Sequence, residues 1–334
     1  MPALPDTADA PKTSPKAQAF TFGDPVPVMD KRAILDHSEC VRVGRWYEPS
    51  VSMNGLARAF HSSPHHASAI YTKCNILSST FIPHRLLSGD QFEKLALDMI
   101  ALGNAYLERR DARSRKPMAL RHSLALHTRR GIEDGRYYFI QDGEEHEFAP
   151  DSMFHLIEPD LTQELYGVPQ YIAALQSAFL NESATLFRRK YYLNGSHAGF
   201  ILYVNDAAQD PADIDAMRQA LRDAKGIGNF RNLFLYSPNG SKDGVQVIPI
   251  SEVAAKDEFL GIKSATRDDV LAAHRVPPQL LCMPPNNTGG FGDVEKAARV
   301  FARNELIPLQ TRFRRINEWV GEEVVRFIPY TLDS

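Results

Sequence analysis

A single uninterrupted helical run dominates the middle of the chain. No glycine or proline falls between Pro169 and Leu193, and Ile172, Leu175, Phe179, Leu186 and Phe187 recur at helical spacing on a face that drifts. At 1.5 Å per residue such a helix is roughly 37 Å long, so it reads as a strut. Arg188, Arg189 and Lys190 sit in its last turns, where cations complement the negative end of the helix dipole. Asn194-Gly195 supplies the stop.

Upstream, Pro2, Pro5, Pro11, Pro15, Pro25 and Pro27 punctuate residues 1–28, which read as a flexible arm. Ser63-Pro64 is an N-cap with proline at the first helical position, followed by Ala67, Ile70, Tyr71, Cys74 and Leu77 on one side. Ser88 to Gln91 forms a capping box ahead of Phe92, Leu95, Ala96 and Met99, in a helix expected to end near Gly103. Short strands are expected over Ala105 to Glu108, Leu120 to Leu126, Arg136 to Gln141 and Glu145 to Phe148, with Asp142-Gly143 as a hairpin turn. Residues 55–160 thus read as a mixed α+β module.

Downstream, strands are expected at Phe200 to Val204, Leu233 to Tyr236 and Val245 to Ile250, with a helix through Ile214, Met217, Leu221 and Ala224. Glu258 to His274 reads as a helix that Pro277-Pro278 breaks. Met283 to Gly292 is a loop of Pro, Asn and Gly. Asp293 caps a final helix reaching about Trp319, in which Pro308 predicts a kink near Leu306, and Val324 to Ile328 can form a last strand.

The 334 residues are 43% hydrophobic and 24% charged, enough to bury one large core or two modest ones. A formal net charge of -3 argues against a broad basic face gripping phosphates, yet it permits DNA to slide past. Cys40, Cys74 and Cys282 are odd in number and widely spaced, so no disulfide scaffold or zinc knuckle is expected. The first sixteen residues hold no apolar signal core and no window approaches 18 apolar residues, so neither export nor membrane insertion is expected. Gly289-Gly290-Phe291-Gly292 lacks the following Gly-Lys-Ser/Thr of a phosphate loop, and Asp293 would repel the anion. His61, His65 and His66 lack the glutamate of a zinc motif, and nothing forces His122, His127 and Asp134 together. No Gly-x-Ser-x-Gly elbow is present. No catalytic, metal or cofactor site is expected.

Four stretches, taken in order, resemble the portal proteins of tailed bacteriophages, in particular the P2-like and PBSX-type group. They are Phe20-Thr21-Phe22-Gly23-Asp24-Pro25; Ala101-Leu102-Gly103-Asn104-Ala105-Tyr106-Leu107-Glu108; Tyr166-Gly167-Val168-Pro169-Gln170-Tyr171 with the Tyr191-to-Phe200 helix ending; and Val270 to Leu281, which ends in a Val-Pro-Pro-x-Leu-Leu corner. The Ala/Arg/Phe helix beginning Glu295-Lys296-Ala297-Ala298-Arg299 also fits. The resemblance implies an α+β portal-type subunit with a mixed α/β wing, long stem helices and a small clip, assembling into a ring that is typically a dodecamer. It implies a non-enzymatic subunit of the head-tail connector, made in the bacterial host cytoplasm and placed at the portal vertex of the virion capsid. Double-stranded DNA would pass through without sequence specificity. The implied partners are the large terminase subunit, the major capsid protein and scaffold, and head-completion proteins, with no membrane involved.

On this resemblance, residues 1–28 are the arm, 29–168 the wing-like region and 169–275 the long helices enclosing a small clip. Residues 276–293 hold the proline corner and tunnel loop, and 294–334 the C-terminal helix and final strand, with no large crown. Asn286, Asn287, Thr288, Gly289 and Gly290 are the implied channel loop, polar but uncharged. Arg299, Arg303, Arg312, Arg314 and Arg315 are expected to pair with acids such as Glu295, Glu305 and Glu318, some on a neighbouring subunit, ahead of gripping DNA phosphates. The competing readings are another head-completion or adaptor protein, and a soluble hydrolase, which would need a pocket of perturbed titratable groups. A third is a sequence-specific DNA-binding module, for which the Ala272 to Leu281 corner is too broken by proline.

Overall fold

The computed structural model describes residues 18–20, 40–161, 164–193, 200–204, 233–236, 245–249, 253–283 and 293–332. The chain divides into two compact units. One holds Met1–Pro27 and Ala184–Gly261, the other Val28–Ser183 and Ile262–Ser334.

Strand β1 (Gln18–Phe20) belongs to the smaller unit and is taken up with it. The larger unit opens with a hairpin of β2 (Val41–Val43) and β3 (Trp46–Glu48), turned at Gly44 with φ of +57°. Helix α1 (Met53–Ala59) starts at Ser52, whose hydroxyl accepts from the Gly55 N–H. Helix α2 (Pro64–Thr80) begins at the expected Ser63-Pro64 signal and leads into the short β4 (Phe81–Ile82). Helix α3 (Gly89–Leu102) is capped by the Ser88 hydroxyl and ends on Gly103 at φ of +69°. The Gln91 side chain, however, accepts from the His122 N–H of a neighbouring strand and leaves the expected capping box half formed.

Strands β5 (Asn104–Asp111), β6 (Pro117–Ser123) and β10 (Met153–Ile157) make an antiparallel sheet in the order β10-β5-β6. Between them β7 (Thr128–Arg130), β8 (Tyr137–Gln141) and β9 (Glu144–Glu147) form a second meander. The β8–β9 turn places Asp142 and Gly143 at φ of +53° and +82°, both in the left-handed region that a two-residue hairpin loop requires. After a 3₁₀ turn at Ile172–Ala174, the long helix α4 runs Leu175–Leu193. The expected start at Pro169 moves later because residues 164–171 are drawn into the junction described below.

The smaller unit carries β11 (Phe200–Val204), β12 (Leu233–Tyr236) and β13 (Val245–Pro249). They form a four-stranded sheet in the order β1-β12-β11-β13, in which only β11 and β12 are parallel. Part of the segment expected as a flexible arm is therefore strand: Gln18–Phe20 pairs antiparallel with Phe234 to Tyr236. Helix α5 (Val253–His274) ends at the proline corner, where Pro278–Leu281 make one 3₁₀ turn.

The last helical segment starts at α6 (Val294–Phe301), with the Asp293 carboxylate accepting from the Lys296 N–H at 2.9 Å. The interruption expected from Pro308 takes the form of a π turn over Ala302–Leu306. A proline has no N–H to give and its ring crowds the carbonyl four residues back, so the helix widens just ahead of it. Helix α7 (Ile307–Phe313) and helix α8 (Arg315–Val320) complete the run, and β14 (Arg326–Phe327) pairs with β4. Phe92 anchors the core here, stacked on Phe81 at 4.0 Å and beside Phe313. Burying one such ring contributes roughly 1.5–3 kcal/mol.

Candidate functional site: a polar junction and an arginine-bearing helix

Two glycine-containing stretches far apart in sequence lock together inside the larger unit. The Asn104 amide donates to the carbonyls of Leu102 and Gly167, each at 2.8 Å, and its oxygen accepts from the Gly167 N–H at 2.7 Å. His155 reaches the same oxygen at 3.0 Å. A Cβ at Gly103 would lie 2.8 Å from the Pro169 nitrogen, and one at Gly167 would lie 2.0 Å from the Gly103 oxygen. Both positions therefore demand glycine for close backbone approach, and Gly103 for its left-handed turn as well. Nearby, the Tyr166 hydroxyl accepts from the Arg130 N–H and donates to the Tyr47 carbonyl, filling the gap between β3 and β7. Tyr171 donates to the Ala101 carbonyl.

A chain of charged and amide groups continues from this lock around a small cavity of about 90 Å³. Glu305, in the π turn, accepts from Lys73 of α2 and from Arg275, each at 3.1 Å. Arg275 also donates to Gln170 at 2.6 Å, Gln170 donates to Glu158 at 2.7 Å, and Arg312 of α7 closes on Glu158. Arg275 holds φ of +54°, a conformation that a non-glycine residue rarely adopts. Burial pushes the Lys73 ammonium below the usual lysine range, and Glu305 opposes that shift.

Beneath this network lies a histidine pair. His66 Nδ1 and His274 Nε2 are 2.9 Å apart, both side chains are buried, and the Tyr171 ring stacks on His274 at 5.0 Å. Burial lowers His66 to about 4 and His274 to about 2, the latter helped by His66 and Lys73. Both rings are thus neutral at pH 7, one donating to the other. Of the three clustered histidines, only His66 enters this pair; His61 stands edge-on to Phe60. His122 bonds Asp98 at 2.7 Å, His127 the Ile140 carbonyl at 3.1 Å, and Asp134 pairs with Arg130 at the surface. Those three do not converge. Among the described residues no group of three His, Cys, Asp or Glu is placed to hold a metal.

The five arginines have different surroundings. Arg299 faces Glu295 at 3.8 Å, an exposed pair one turn away. Arg312 is held by Glu158, and Arg314 lies 5.5 Å above the Phe327 ring. Arg303 and Arg315 are exposed and have no side-chain partner among the described residues. Arg315 instead borders a groove of about 380 Å³ with Glu318, Trp319 and β10. Asn286, Asn287, Thr288, Gly289 and Gly290 lie outside the described residues.

Sequence reading missed the junction, although three of its parts were in view. Gly103-Asn104, Tyr166 to Tyr171 and His274-Arg275 are among the stretches that carry the family resemblance, and they meet here.

The architecture is that of phage portal subunits. It superposes with a TM-score of 0.59 on the crystal structure of an HK97 family phage portal protein from Corynebacterium diphtheriae, at 14% identity, covering 86% of this chain and 97% of that one. A chain in the neck of a native gene transfer agent particle, computed with C12 symmetry, matches with a TM-score of 0.61 at 18% identity, covering 91% and 89%. The phage portal protein family profile matches residues 84–327. The probable portal protein of Escherichia phage P2 is 55% identical over 323 residues, 96% of this chain and 94% of its own length. That of Haemophilus phage HP1 is 33% identical over 270 residues, 79% and 78%. The chain belongs to the phage portal protein family.

Proposed function

We propose that the chain is a structural portal subunit that closes with its copies into a ring around the DNA path at one capsid vertex. The match to a P2 portal protein at 55% identity over nearly the whole chain carries this reading. B-DNA is roughly 20 Å across, so one subunit of this size does not enclose it and a cyclic oligomer does. A net charge of -3 suits transit, because many phosphate contacts would hold the duplex.

In this reading the large terminase subunit docks during packaging, capsid and scaffold proteins surround the ring, and head-completion proteins follow. The unit formed by residues 184–261 with the N-terminal segment corresponds to the clip-like region. Residues 286–290 line the channel. Arg299 and Arg303 serve contacts between subunits ahead of contacts to DNA, and Arg312 supports the fold through Glu158.

Native mass measurement with negative-stain imaging of the same sample tests the reading. Twelve copies of 37.4 kDa give a ring of about 450 kDa with a duplex-wide hole. A particle with no central opening would overturn it.

A further inference from the structure

The sheet β10-β5-β6 has two edges, and they are finished differently. The ladder bonds Arg109 N–H to Ser152 O and Glu158 N–H to Gly103 O fix which residues of β10 turn their backbone toward β5. Alternation then points the N–H and C=O of Met153, His155 and Ile157 away from the sheet. By the same alternation Leu120 and His122 point outward from β6. There the chain covers its own edge: Leu120 N–H donates to Leu86 O at 2.8 Å and His122 N–H to the Gln91 side chain at 2.8 Å. No described backbone or side-chain group plays that part for β10.

Beside this open edge runs the 380 Å³ groove, walled on the other side by α8. Phe154 and Trp319, 5.4 Å apart, give it an apolar floor. Arg315 and Glu318 are exposed at its border, and neither has a salt-bridge partner among the described residues, although they are three apart on one helix. A five-residue edge free of proline, lysine and bulge is what proteins normally cover or pair. An edge strand flanked by a helix with a groove between them fits an extended segment added as a further strand, its side chains reaching the groove alternately.

We propose that β10 and α8 receive an extended segment of a second copy of this chain. The choice of a second copy rests on the ring reading above. A groove on one face and a strand supplied from elsewhere in the molecule make a heterologous contact, the kind that propagates from subunit to subunit and closes into a ring. Among the described residues Arg315 and Glu318 leave one unpartnered charge of each sign at the rim, which a segment carrying both signs would meet.

The test places a photo-crosslinking residue at Glu318 in the full chain, with assembly followed by native mass and crosslinked peptides read by mass spectrometry. Irradiated rings should yield a covalent dimer whose partner peptide comes from this same chain. Ile157→Pro removes one outward N–H without touching the β5 ladder. It should lower the ring fraction at least tenfold while the melting temperature of the unassembled chain stays within about 3 °C of wild type. Arg315→Glu should lower the ring fraction less. Rings that form normally from Ile157→Pro and stay monomeric on irradiation overturn this inference and leave the ring reading standing. Crosslinks found only to capsid or scaffold overturn it too. A wild-type chain that never assembles, with or without scaffold, removes the ring reading and this proposal together.

Discussion

The polar junction and the arginine-bearing helix sit in one unit, yet their side chains live under opposite rules. At the junction, Asn104 satisfies three backbone groups at once, and two glycines leave no room for a Cβ. On the helix, Arg303 is exposed with no described partner and Arg299 has only a loose pair within its own turn. A buried group without its partner costs the whole desolvation penalty, whereas an exposed charge loses little. Three of the stretches that carry the family resemblance therefore hold the backbone in place. The side chains free to meet another molecule lie where substitution is cheap.

The largest effect that would separate the two regions is expected from Gly167→Ala. Its Cβ would fall 2.0 Å from the Gly103 oxygen and 2.6 Å from the Glu158 nitrogen, both backbone atoms that cannot step aside. A loss of more than about 4 kcal/mol is expected in urea unfolding, or failure to fold. A loss under 1 kcal/mol would show that the junction is slack and the contrast unfounded.

Asn104→Ala should come next, costing about 2–3 kcal/mol because the Gly167 N–H and carbonyl lose their partners inside the protein. Asn104→Asp should recover the acceptor bond only, so it should fall between the alanine variant and wild type.

The histidine pair gives a pH dependence of defined sign. Folding lowers His66 to about 4 and His274 to about 2 from an ordinary value near 6.5, so the unfolded chain binds more protons. Stability is full above about pH 6.5 and falls as pH drops toward 4. At pH 5 the loss should be about 2 kcal/mol for each histidine, taking 1.36 kcal/mol per pH unit. Thermal melts at pH 7.5 and 5.0 should show the drop, and His274→Gln should shrink it. An unchanged drop in that variant would mean that other groups set the acid limit.

The smallest effect on stability is expected from Arg303→Ala, within about 0.5 kcal/mol. Its effect on the ring fraction should nonetheless exceed that of Arg312→Ala once the latter's folding loss is discounted, because Arg312 is committed to Glu158. Equal assembly by Arg303→Ala and wild type would remove Arg303 from the subunit contact.

Local signals were legible in the sequence wherever neighbours along the chain decide the structure. Ser88 with Gly103, Asp142-Gly143 and the Asp293 cap each stand as expected, because a cap or a two-residue turn is closed by residues within four positions. The β2–β3 hairpin, α1, β7 and β10 were not seen, being short and supported by distant partners. The junction was invisible for the same reason in stronger form. Asn104 and Gly167 are 63 residues apart and His66 and His274 are 208 apart, separations that no periodicity reports. The arginines were placed correctly on the final helical segment, but their partners Glu158 and Phe327 come from elsewhere in the fold.

The π turn over Ala302–Leu306 also sets a phase. Such a turn holds one residue more than the α-helix around it, and one residue in an α-helix corresponds to about 100° of rotation and 1.5 Å of rise. Arg299 upstream and Arg314 and Arg315 downstream are therefore aimed by two different clocks, with Glu305 pinned at the point where the hands change. Deleting a single residue from that turn would rotate Val294–Phe301 by more than a quarter of a revolution against α7 and pull Phe301 out of the core it shares with Phe313. The extra residue is thus what lets Phe301 and Phe313 be seated together while the two halves of the helix face different ways.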